Sequence, residues 1–176
     1  HAQGYNLLLV DQRAHQGSAG TFLTFGVKER YDVISWVTYL GQLLGQDHPL
    51  FLDGLSMGAT TVLLASCFAF PANVRGVIAD CGFTEPYAEM RHVLRGLGRW
   101  IPVRFVLFWV NLAAHLLAGY GLHEADTRLS VAESRYPILF IHGTGDDFVP
   151  CGMTKENFAA CTAEKELILV EGAPHG

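Results

Sequence analysis

The sequence predicts an α/β architecture, a mostly parallel sheet flanked by helices, and three observations carry that expectation. Short apolar runs alternate with helical stretches along most of the chain. The connections between them are short, as crossover units of a parallel sheet require. Half of the 176 residues are hydrophobic, ample for the buried core of one domain.

The elements follow in order. Asn6–Asp11 (NLLLVD) is an apolar run closed by polar residues and glycines, the pattern of a strand buried on both faces. Lys28–Gly45 is helical, with Val33, Val37, Leu40 and Leu44 on one stripe and Gly45 as its stop. Leu50–Gly54 reads as the next strand, and Ser56–Phe70 as a helix ended by Pro71. Val74–Asp80 is a third strand. Ile138–His142, straight after Pro137, is a fourth, and Glu166–Val170 a fifth, with a helix at about Gly152–Cys161 between them. Such a sheet is expected to be covered on both sides.

Between Cys81 and Tyr136 the alternation stops. Helical patterns occupy Pro86–Gly98 and Val103–Gly119, and no strand is evident. The chain therefore divides into a core at residues 1–82, a helical cap at 83–135 and a returning core at 136–176. An insertion after a strand's C-terminal end lies over the edge where open α/β sheets bind ligands. The uncharged stretch Phe105–Gly121 approaches the length of a membrane span. Arg104, Asn111 and His115, however, recur at intervals of seven and four, a narrow polar stripe that suits a cap or a buried helix.

Composition removes several function classes. The formal charge is −5 and no basic run exists, which argues against nucleic acid as a partner. Cys67, Cys81, Cys151 and Cys161 are scattered, without a CxxC pair, and read as free thiols of a reducing compartment such as the cytoplasm. His123-Glu124-Ala125-Asp126 is not a zinc helix, and Gly96-Leu97-Gly98 lacks the strand and third glycine of a dinucleotide loop. The chain opens on His1-Ala2-Gln3 without methionine and stops just after His175. It reads as an internal segment of a longer protein, which leaves open a leader or an anchor upstream.

One pentapeptide carries the chemistry. Gly54-Leu55-Ser56-Met57-Gly58 follows a strand and opens a helix, the context in which G-x-S-x-G holds a nucleophilic serine on a strained turn. Small residues two before and two after the serine are expected to relieve crowding there. The helix N-terminus behind it offers N–H groups to a developing oxyanion. Asp146 follows the strand Ile138–His142 after a glycine-containing turn. His175 sits in a Gly/Pro loop after the last strand, where a base would reach both.

On these residues, together with Asp11-Gln12-Arg13-Ala14-His15-Gln16-Gly17-Ser18, His142-Gly143-Thr144-Gly145-Asp146-Asp147-Phe148-Val149-Pro150 and Gly172-Ala173-Pro174-His175, the chain resembles the α/β-hydrolase superfamily. The likeness is to the branch of serine aminopeptidase-like hydrolases, monoglyceride-lipase-like enzymes and bacterial esterases. It runs nearly end to end and is weakest across the insertion. The order serine, acid, histidine is that family's order. The resemblance selects Asp146 as the acid; Asp147, a turn residue, and Asp80, which ends the strand before the insertion, are its rivals.

That resemblance implies a serine esterase working through an acyl-enzyme, with Ser56, Asp146 and His175 catalytic and the Met57 backbone N–H in the oxyanion hole. No cofactor and no metal are implied. The substrate expected is a small ester or amide with an apolar portion, and membrane contact is left to the cap or to an upstream segment. An amidase or acyltransferase with the same residues, or a catalytically silent binding protein, are the alternatives. The five strands match the last five of the family's sheet. A missing strand would then lie between Asn6–Asp11 and Leu50–Gly54, and the loop after it would carry the second oxyanion donor. His142 and His15 are expected to brace their loops; His48, His92, His115 and His123 have no motif context. Asp53, inside a strand, has no explanation in the sequence.

Overall fold

A computed structural model describes residues 4–45 and 47–176. Four strands, β1 (Leu50–Leu55), β2 (Val74–Asp80), β3 (Ile138–Gly143) and β4 (Lys165–Val170), form one parallel sheet in that order. Helix α1 (Glu29–Leu44) precedes β1, and α2 (Met57–Ala65) links β1 to β2. Between β2 and β3 come α3 (Pro86–Leu97), α4 (Val103–Ala113), a π-helical turn at Ala114–Ala118 and the short α5 (Thr127–Ala132). Helix α6 (Cys151–Ala160) returns the chain to β4.

The first of the five expected strands is not formed. Asn6–Asp11 joins no ladder, and Leu7, Leu8 and Leu9 are exposed. An apolar run becomes a strand only when a neighbour accepts its N–H groups, and β1 pairs with β2 alone. The helical insertion therefore follows the second strand.

Register decides which side chains meet the helices. Leu52, Val77 and Ile138 share one row, and Gly54, Ala79, Phe140 and Leu167 the next. These residues face Ala59, Val62 and Leu63 of α2 and Phe158 of α6, with Phe140 and Phe158 in an edge-to-face pair at 5.8 Å. The alternate row is not sealed, contrary to the expectation of cover on both sides. Ile78, Leu139 and Ile141 are half-buried there, and Phe51, Leu55 and Ile168 are exposed. Asp53 belongs to this second row, opposite Ile78, and points its carboxylate to solvent. That answers its presence in a strand.

The insertion has a core of its own. Leu107, Ala118, Tyr120, Leu122 and Ala125 pack with Val27 and with Leu64 of α2. Lys28 donates from Nζ to the carbonyl of Ala118, and Asn111 accepts the Leu122 N–H through Oδ1 at 2.8 Å. The helix expected over Val103–Gly119 thus ends as a π turn, with Gly119 at φ 65°. Among the described residues no helix is long and apolar enough to cross a membrane.

Candidate active site

The C-terminal ends of the strands carry the site. Ser56 joins β1 to α2 at φ 54° and ψ −115°, a region that costs a non-glycine residue about 1–3 kcal/mol. Its N–H donates to the Asp80 carbonyl at 2.8 Å, which fixes the strained turn against β2. A Cβ on Gly54 would collide with the backbone of Gly58 and Ala59. Gly58 itself faces open space, so only the first glycine of the pair relieves crowding.

The loop after β3 is shaped around a second set of glycines. A side chain on Gly143 would strike the carbonyls of Ala173 and Pro174, and one on Gly145 the carbonyl of Gly172. The Gly145 N–H donates to Ala173 and the Gly172 N–H to Thr144 Oγ1, closing the two loops on one another. This contact carries His175 to Asp146.

Nδ1 of His175 lies 2.7 Å from Oδ2 of Asp146, and its Nε2 lies 2.9 Å from Oγ of Ser56. An ionised carboxylate only accepts, so Nδ1 bears the proton and Nε2 is free to accept from the serine hydroxyl. Oδ1 of Asp146 accepts the N–H groups of Phe148 and Val149, each at 2.9 Å. Burial opposes the charge on Asp146, but the hydrogen bonds from His175, Val149 and Phe148 outweigh it and hold the carboxyl below its ordinary range. The Phe148 ring packs 5.1 Å from the imidazole. In this arrangement Ser56 can pass a proton to His175 as it attacks an electrophile. Met57 N–H, the first of α2, has no helical carbonyl to bond.

The rival acids are not engaged. Asp80 and Asp147 make no side-chain bond to His175, and Asp147 is exposed. The Asp147 carbonyl accepts instead from Nε2 of His92, tying α3 to the acid's loop at 3.0 Å. His142 is fully buried, bonded to Thr154 Oγ1 and to the Val149 carbonyl. His15 holds the carbonyl of Arg13, whose guanidinium grips Asp32 bidentately.

Two further residues lie here, and the first escaped sequence reasoning. Glu89 of α3 is buried with both carboxylate oxygens unpartnered; burial, helped by the nearby charge of Asp146, pushes it up to about 7. Nothing in the sequence distinguishes it from a solvated helix glutamate. Cys81, one of the free thiols, is buried and sits at φ 47° beside the hydrogen-bonded chain. Its Sγ, a carboxylate oxygen of Asp146 and a ring nitrogen of His175 lie within 4.8 Å of one another. These three side chains could hold a metal ion, but the ion would have to displace the His175–Asp146 bond and the thiol proton. Burial holds that thiol at about 11.

No family model matches the chain. It is similar to an uncharacterized protein, YqkD, of Bacillus subtilis (strain 168), at 28% identity over 98% of this chain and 56% of the relative. Among solved structures it is similar to an esterase of Pyrococcus furiosus, with a TM-score of 0.72 at 22% identity, over 99% of this chain and 64% of that one. The fold is that of the α/β-hydrolases. An acylaminoacyl peptidase of Pyrococcus horikoshii matches 86% of this chain and 24% of its own, with a TM-score of 0.62 at 13% identity. The chain thus spans less than two thirds of these relatives.

Proposed function

We propose that the protein is a serine hydrolase that cleaves carboxylic esters through an acyl-enzyme. The observation that supports this most directly is the unbroken path Ser56 Oγ–His175 Nε2, His175 Nδ1–Asp146 Oδ2. Ser56 attacks the carbonyl carbon while His175 takes its proton, and Met57 N–H stabilises the oxyanion. Asp146 keeps the imidazole in the required tautomer and stabilises its protonated form. His175 then protonates the departing alcohol, activates a water, and returns the acyl group as an acid. The ester preference is supported by the structural likeness to esterases; the likeness to an acylaminoacyl peptidase keeps amides as the second reading.

A fluorophosphonate probe tests the nucleophile. Labelling is expected at Ser56 and absent in Ser56→Ala. Labelling that persists at another serine overturns the assignment, and no labelling of the native chain favours a silent binding protein. Turnover of p-nitrophenyl esters against aminoacyl anilides then separates esterase from amidase.

A further inference from the structure

The insertion turns an unused face outward. Val103, Leu107, Val110 and Ala114 of α4 and the π turn pack inward. On the opposite side Phe105, Phe108, Trp109, Leu112 and Leu116 form a second apolar stripe at helical spacing, all exposed, Phe105 by 63% and Leu116 by 76%. Trp100, just before the helix, is 84% exposed. So large an uncovered aromatic surface marks an interaction site.

The charge around it is equally one-sided. Residues 90–123 hold Arg91, Arg95, Arg99 and Arg104 and no Asp or Glu, in a chain whose net charge is −5. All four arginines are exposed, and none forms a salt bridge among the described residues. Arg91 and Arg95, one turn apart on α3, meet Arg104 around a shallow cavity of about 310 Å³ completed by Tyr87 and Val103. Three guanidinium groups facing one cavity repel each other until an anion sits between them. A phosphodiester accepts bidentate bonds from such groups.

We propose that this face docks the protein on an anionic lipid bilayer. The aromatic stripe enters the boundary between headgroups and acyl chains, and Arg91, Arg95 and Arg104 take lipid phosphates. Tryptophan and phenylalanine on one face with arginine at its border are the composition of an interfacial helix. A second copy is the poorer occupant, because a two-fold contact through this face would bring two sets of four arginines together.

Sedimentation of the full-length protein with vesicles tests the proposal, using the Ser56→Ala form so that lipid turnover plays no part. Binding is expected to vesicles containing about 30% phosphatidylglycerol and not to pure phosphatidylcholine. It should fall sharply in about 0.5 M salt. Arg95→Glu with Arg104→Glu should weaken it at least about tenfold, and Phe108→Ser with Trp109→Ser should do the same. With Ser56 restored, both double variants should keep the native turnover of a water-soluble ester, which reports an intact fold independently of docking. Equal binding by the variants, equal binding to neutral vesicles, or no binding at all overturns the proposal. So does a concentration-dependent dimer that the Phe108/Trp109 variant dissolves, which would assign the face to a second copy.

Discussion

Nε2 of His142 lies 3.2 Å from Oδ2 of Asp146, the same oxygen that holds His175. Its Nε2 also faces the Val149 carbonyl, an obligate acceptor, so this nitrogen carries a proton, while Nδ1 lies 2.7 Å from Thr154 Oγ1. His142 is thus a buried brace of the loop that carries Asp146. His142→Ala should cost about 2–4 kcal/mol of stability, read from denaturant unfolding, because it empties a buried site and orphans two polar groups. Turnover should fall as well, while His15→Ala stays mild.

Asp146→Asn should lower kcat by about three to four orders of magnitude, because an amide lets the imidazole adopt the wrong tautomer. Asp147→Asn and Asp80→Asn should each change it by less than about tenfold. A larger loss from Asp80→Asn would place the acid on β2. The carboxyl of Asp146 is held below its ordinary range, so its hydrogen bonds stabilise the fold fully above that range. This stability is lost as pH falls through the folded value. An acid titration followed by circular dichroism should show Asp146→Asn less acid-sensitive than the native chain.

Glu89 has the opposite sign. Its folded value of about 7 lies above the ordinary 4.5, so the folded state holds a proton that the unfolded state has released between those values. Stability therefore declines as pH rises through that window. Glu89→Gln should leave stability unchanged near the bottom of the window and raise it by on the order of 2 kcal/mol at pH about 8. Thermal melts at the two pH values decide this; equal effects at both would mean that the carboxylate finds a partner.

The two glycines beside Ser56 should part company. Gly54→Ala forces the turn apart and should cost more than about 3 kcal/mol together with fluorophosphonate labelling. Gly58→Ala meets no atom within 4 Å and sits in the first turn of α2, so it should raise stability by up to about 1 kcal/mol.

Much of this was legible in the sequence, for reasons particular to each element. β2 has the bounds its apolar run and flanking residues predict, Val74–Asp80, because its pattern is local. Ser56, Asp146 and His175 meet as expected because each is announced by the glycines that make its loop. Asn6–Asp11 misleads because pairing depends on a neighbouring strand rather than on the run itself. The role of Asn111 as acceptor for the Gly121–Leu122 turn, and the burial of Glu89, arise only when α3 and α4 fold back on α2. The exposure of the outward stripe of α4 is not legible either, since periodicity finds an apolar face without saying what lies opposite.

The last rungs across the sheet run Ser56 N–H to Asp80, Cys81 N–H to Ile141 and Thr144 N–H to Val170. They stitch the Ser56 backbone to the His175 loop through every strand between them. A slip of one residue at any of these ladders would move one end by about 3.3 Å and break the proton path. The proposed hydrolysis would consequently be a gauge of native register: no alternative pairing of the same strands would retain it, and activity during refolding should appear only when the Ser56 amide becomes shielded from hydrogen exchange.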